Sequence, residues 1–195
     1  MHISNLEKSN SLNINSPMAS MNFSIMLSKH IDLYFRPPNK ELVLLCIGTD
    51  RSTGDALGPI VGHKLSRPLS RYNYVHLYGT LDEPVHAKNL NEKLKTIHSS
   101  LDKPFIIAVD ACLGKMDRIG CIAVNKGPLK PGAGVSKDLP AVGDISITGI
   151  VNLGGYMEYL VLQNTRLSLV VKMADTLAQS IKYSIWRLHR ERLMI

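Results

Sequence analysis

Two short apolar runs, each closed by Gly or Asp, set the frame of this chain. One is Leu42-Val43-Leu44-Leu45-Cys46-Ile47-Gly48, and the other is Phe105-Ile106-Ile107-Ala108-Val109, ending in Asp110-Ala111. Such runs read as parallel strands buried on both faces. Alternation from Tyr74 to Tyr78 predicts a further strand leading into Gly79-Thr80. Only a short Gly-Lys-Met-Asp turn separates the 105–110 strand from Ile119-Gly120-Cys121-Ile122-Ala123-Val124. A crossover to a parallel neighbour needs a dozen or more residues. Strand 119–124 is therefore expected to run antiparallel to 105–110, which makes the sheet mixed. Leu167–Val171 reads as a fifth and last strand.

Between these runs the apolar period changes to that of a helix. Met21–Phe35 predicts a short amphipathic helix with Ile25, Met26, Leu33 and Phe35 as its apolar members. A helix opens at Asp55 with Leu57, Ile60, Val61 and Leu65 on one face. Pro59 falls in its first turn, where a missing N–H costs nothing. Val85–Ser100 carries Leu90, Leu94 and Ile97 on one face, a further helix is expected near Asn152–Gln163, and Met173, Leu177, Ile181, Ile185 and Leu188 stripe a terminal one. Residues 126–143 hold three prolines and four glycines and read as a long loop. Long loops inside compact domains are commonly functional. The organisation expected is a polar leader plus short helix over 1–37, disordered to about residue 20, and a single α/β domain over 38–195.

Composition narrows the class. A chain of 195 residues with 45% hydrophobic and 20% charged residues fits one soluble domain. No apolar stretch nears the roughly 20 residues that span a bilayer, and the polar start lacks a signal-peptide pattern, which points to the cytoplasm. The net charge of +7 gathers partly in Lys172, Lys182, Arg187, Arg190 and Arg192. Without an aromatic-studded basic stripe or a nucleic-acid motif, these read as the solvated face of the terminal helix. Cys46, Cys112 and Cys121 lack CxxC spacing and read as structural thiols in or beside strands.

The candidate chemistry lies at the strand ends. Asp55 and Asp110 are expected at the carboxyl edge of one sheet, where open α/β folds build their sites. Two converging carboxylates divide acid and base work or bind a divalent metal, and both readings stay open. Taken singly, Asp55 also fits an N-cap and Asp110 a polar strand end. Gly79-Thr80-Leu81-Asp82-Glu83-Pro84-Val85-His86 falls at the same edge, with Glu83 and His86 as candidate substrate contacts and His86 as a candidate base or third metal ligand. Gly132, Gly134 and Ser136 belong to a segment suited to an anion nest or oxyanion hole.

Ile47-Gly48 followed by Gly54-Asp55-Ala56-Leu57-Gly58-Pro59, the run Ala108-Val109-Asp110-Ala111, and Pro131-Gly132-Ala133-Gly134-Val135 resemble, in the same order, segments of the spore germination protease. The Thr80–Ala87 segment resembles the smaller YyaC-type sporulation proteins. The resemblance covers about residues 42–171. It implies a three-layer α/β/α sandwich of the hydrogenase-maturation-protease type, with a mixed, mainly parallel five-stranded sheet. It also implies hydrolysis of a peptide bond in a peptide or protein substrate during sporulation, with Asp55 and Asp110 as the active acids. In the maturation proteases acids at both places bind a metal together with a histidine after a later strand, where this chain has none. Homo-oligomerisation is left open, and neither a membrane nor a nucleic-acid partner is expected.

Overall fold

The computed structural model describes residues 10–132 and 139–194. Its centre is a six-stranded sheet built from β1 (Ser11–Asn13), β2 (Glu41–Cys46), β3 (Val75–Tyr78), β4 (Pro104–Gly114), β5 (Cys121–Lys126) and β6 (Ile145–Leu153). The spatial order is β1-β5-β6-β4-β2-β3. β6, β4, β2 and β3 run parallel, whereas β5 pairs antiparallel with both β6 and β1.

Period-two alternation sends the strand side chains to two cores. Leu42 and Leu44 of β2 join Phe105, Ile107 and Val109 of β4 in a large cluster. Over it pack α1 (Ala19–Tyr34), α2 (Leu57–Leu69) and α5 (Leu167–Arg192). Val43, Leu45, Ile106 and Ala108 point the other way, onto α3 (Leu90–Ser100) through Leu90 and Ile97. Helices thus cover both faces, and the three-layer sandwich follows from the strand pattern.

Several expectations change. The sheet has six strands rather than five. Leu167–Val171 is the first turn of α5, because Val170, Met173, Ala174 and Leu177 already follow the helical period that buries the rest of that helix. β6 stands in its place as a strand, inserted between β5 and β4. The direction expected of the 119–124 strand holds, but its neighbours are β1 and β6 rather than β4. Ser11–Asn13, expected in the disordered leader, pairs in register with Ala123, Ile122 and Cys121. The core stripe of α1 is Phe23, Leu27 and Ile31, while Ile25 and Leu33 face solvent. The apolar surplus on this helix misled the period reading, and its serines complete the buried face. The helix expected from Val85 begins only at Leu90. Asn89 explains the delay, since its amide binds Pro84 O and its Oδ1 accepts from the His86 N–H. The helix expected near 152–163 is the shorter α4 (Glu158–Gln163).

Candidate functional site

β4 outruns its neighbour. The β2 pairing ends at Cys46 opposite Val109, and the Ile47 N–H closes the ladder on Val109 O at 2.7 Å. Asp110 is therefore the first β4 residue beyond the end of β2, still paired with Thr148 of β6 on its other side. The loop after β2 returns to this gap through close backbone contacts. Gly48 has φ +142°, and a Cβ there would meet the Asp55 carbonyl oxygen at 2.0 Å. The same oxygen accepts from the Thr49 N–H at 3.1 Å. A Cβ on Gly58 would meet Ile47 O at 2.1 Å, so the first turn of α2 seats directly on the end of β2. Asp55, on the 3-10 turn Gly54–Ala56 that precedes α2, is pinned there.

Asp55 and Asp110 line one cavity of about 380 Å³, together with His86 and Gly132. Its walls come from the 47–52 loop, Pro84, His86, Ala87 and Lys88, Pro131-Gly132, Leu139, and Tyr159 and Leu162 of α4. The strand ends of a parallel sheet converge here, as the apolar runs led one to expect.

The electrostatics separate the two acids. Asp110 is buried, and desolvation raises its carboxyl well above the usual carboxylate range; the charge of Asp55 pushes it the same way. The backbone N–H groups of Ala111, at 2.8 Å, and of Gly132 oppose this rise without cancelling it. Desolvation also raises Asp55, and the nearby His86 imidazole opposes that rise. The neutral form is thus favoured most at Asp110, and Asp55 is the acid that ionises more readily.

The other predicted residues divide. The His86 Nδ1 accepts from the Lys88 N–H at 3.3 Å, a contact that places the neutral ring's proton on Nε2. Gly132 lies in the cavity with its N–H on Asp110, so it holds the acid rather than standing free for an oxyanion. Glu83 is exposed and outside the cavity lining; its backbone closes a turn with Thr80. Gly134 and Ser136 lie outside the described residues. Cys112 is inert, its thiol pushed up to about 11 by burial and by Asp110.

Ser52, Lys88 and Tyr159 are cavity residues to which the sequence reading gave no role. The Ser52 hydroxyl is buried and has no hydrogen-bond partner among the described residues. The polar stretch between Gly48 and Gly54 was its only signal. No group of three His, Cys, Asp or Glu side chains among the described residues converges as metal ligands. His86 therefore does not complete a triad with the two aspartates. Among the described residues the donors do not form a three-ligand centre, and no step below runs through a metal.

The family model described as "Protein of unknown function (DUF1256)" matches residues 11–180. The chain belongs to the DUF1256 family. It is 56% identical over 155 residues to "Uncharacterized protein YyaC" of Bacillus subtilis (strain 168), a match covering 77% of this chain and 74% of that protein. A solved structure, the [NiFe] hydrogenase maturation protease HycI from Thermococcus kodakarensis KOD1, matches 81% of this chain and 97% of its own length. The TM-score is 0.53 and the identity 18%. At that identity the likeness carries the fold, a HycI-like α/β sandwich with a mostly parallel sheet. Among the described residues no helix of this DUF1256 member is long and apolar enough to cross a membrane.

Proposed function

We propose that this protein is a peptidase or peptidase-like hydrolase in which Asp55 and Asp110 activate a water molecule. The supporting observation is that both acids line one cavity at the carboxyl edge of the sheet, in surroundings that push their protonation apart. A protease-like fold agrees with a peptide or protein substrate.

The chemistry then follows. The Asp55 carboxylate takes a proton from water as the water oxygen attacks the scissile carbonyl carbon. Neutral Asp110 gives its proton to the carbonyl oxygen, so no full oxyanion builds up. The resulting diol collapses as Asp55 returns its proton to the amide nitrogen and the C–N bond breaks. The diol hydroxyl reprotonates Asp110, and both acids regain their starting states. The His86 imidazole beside Asp55 favours its ionised form, and the N–H groups of Ala111 and Gly132 fix the Asp110 carboxyl. Activity needs one acid ionised and the other neutral, so its pH profile is bell-shaped. The cellular setting proposed with this activity is sporulation. The Thr80–Ala87 resemblance to YyaC-type sporulation proteins motivates it.

The test is cleavage of a proteome-derived peptide library followed by mass spectrometry. Wild-type protein should cut a defined set of bonds, and Asp55→Asn and Asp110→Asn should each lose that set while melting cooperatively. Undiminished cleavage by both single variants would end the proposal.

A further inference from the structure

We propose that the outer face of the α1–α5 pair docks an acidic amphipathic helix from another protein, in a groove between the two helices. This surface is separate from the cleft and does not depend on the catalytic reading.

The sequence periods create the face. Once Phe23, Leu27 and Ile31 turn to the core, Met18, Met21 and Ile25 are left on the outside of α1, and they are 70%, 43% and 46% exposed. On α5, Tyr183 and Trp186 share an outer stripe with Gln179 and Arg190, and both aromatics are 40% exposed. Their rings lie 5.6 Å apart, and the Arg190 guanidinium stands 5.5 Å over the Trp186 ring. Met18, Met21 and Tyr183 line a groove of about 500 Å³ floored by Ser20 and Ser24. Serines let the helices approach closely at the floor, while the large side chains stand up at its sides.

Two features choose the occupant. The exposed residues are Met, Tyr, Trp and Arg, the types that concentrate binding energy at protein interfaces, and a groove between helices receives an amphipathic helix. The second feature is charge. Lys29, Lys172, Lys182 and Arg190 are exposed, and none has an ion-pair partner among the described residues. The carboxylates nearby are already engaged: Asp32 and Glu191 by Arg187, and Asp175 by Lys64. A second copy would bring two basic rims together, and a flat lipid surface would leave the groove unfilled. An acidic helix satisfies both the apolar floor and the rim.

The chain has a single tryptophan, Trp186, so tryptophan emission reports this face alone. The probes are a synthetic helix of about 18 residues, long enough for stable turns, with a leucine stripe and glutamates elsewhere, and the same peptide with lysines in place of the glutamates. The full-length protein should respond to the glutamate peptide with a saturable shift in emission and should ignore the lysine peptide. The Met21→Ala/Tyr183→Ala and Lys182→Glu/Arg190→Glu variants should each weaken binding about tenfold or more while melting like wild type. An absent response to the glutamate peptide, equal response to both peptides, or unchanged binding by the variants would overturn the proposal. So would a response given only by phosphatidylglycerol vesicles, or one given only by raising the protein concentration without peptide.

Discussion

The cleft and the serines of the α1–α5 seam both bury polar groups, and they treat them in opposite ways. In the seam, Ser28 Oγ donates to Ser184 Oγ at 3.1 Å, Ser184 Oγ to Ser24 O at 3.1 Å, and Ser180 Oγ to Ser20 O at 2.8 Å. Each hydroxyl is neutral and paired, so burying it costs little. In the cleft, Asp110 sits buried beside a second acid, and the Ser52 hydroxyl has no partner among the described residues. A fold optimised for stability alone would not leave these groups in conflict. The seam is polarity used as structure, and the cleft is polarity held ready for chemistry.

The largest separation of the two regions should come from activity. Asp55→Asn removes the group proposed as base, and the rate of peptide cleavage should fall about 10²–10⁴-fold, as losses of general acid–base groups do. Ser184→Ala, in the seam, should leave that rate within a factor of about two. A serine variant as damaging as the aspartate variant would erase the distinction. The next largest effect tests the scaffold beneath the cleft. Gly58→Ala places a Cβ 2.1 Å from Ile47 O, a backbone atom that cannot swing away. Thermal unfolding should show about 3 kcal/mol lost, the upper range for overpacking. An unchanged melting temperature would mean that α2 is not seated on β2 as described.

What the sequence made legible follows the same division. Asp55 and Asp110 were readable because each closes or follows an uninterrupted apolar run, and such runs are forced into the middle of a parallel sheet. His86 was readable as a neighbour of a strand end, and Gly132 as part of the glycine-rich 126–143 loop. The seam was not. Its serines lie among exposed Met21, Ile25 and Leu33, so a count of apolar residues takes in Ile25 and Leu33 and passes over Ser24 and Ser28. Only contact with α5, some 160 positions away, decides which side is buried. β1 was hidden for a similar reason, because Leu12 is the single apolar residue in Ser11–Asn13 and the strand exists through its pairing with β5. Leu167–Val171 carries β-favouring residues, but burial of the longer helical stripe overrides that local preference. Ser52 gave only the weak signal of the polar stretch between Gly48 and Gly54, since a buried hydroxyl without a partner is a property of surroundings.

A smaller effect sharpens the seam. Ser184→Val replaces a fully buried, hydrogen-bonded hydroxyl with a bulkier apolar group where the helices meet most closely. It leaves Ser28 Oγ without its acceptor and forces the helices apart. About 2 kcal/mol of stability should be lost, or roughly 4–8 °C in melting temperature for a chain of this size. The loss should be the same at pH 4 and pH 7, because the Ser28–Ser184–Ser24 chain consists of hydroxyls and a carbonyl that carry no charge at either pH.

The cleft should behave differently with pH, and the sign is fixed by the direction of the Asp110 shift. The fold raises this carboxyl above its unfolded value, so the native state holds the proton more tightly than the unfolded chain does. Its contribution to stability is fully present below the ordinary carboxylate range. That contribution is lost as pH rises through the raised native value. Asp55, raised as well, adds a dependence of the same sign. Asn at position 110 keeps an oxygen to accept from the Ala111 N–H at 2.8 Å and has no charge to bury. Asp110→Asn should therefore melt higher than wild type at pH 7, by about 2–4 °C for each kcal/mol relieved. The gap should close as the pH falls towards 4, where wild-type Asp110 is neutral too. A variant less stable than wild type at pH 7 and equal to it at pH 4 would reverse the sign. The ionised carboxylate would then be a stabilising group like the paired serines, and the contrast between seam and cleft would lose its physical basis.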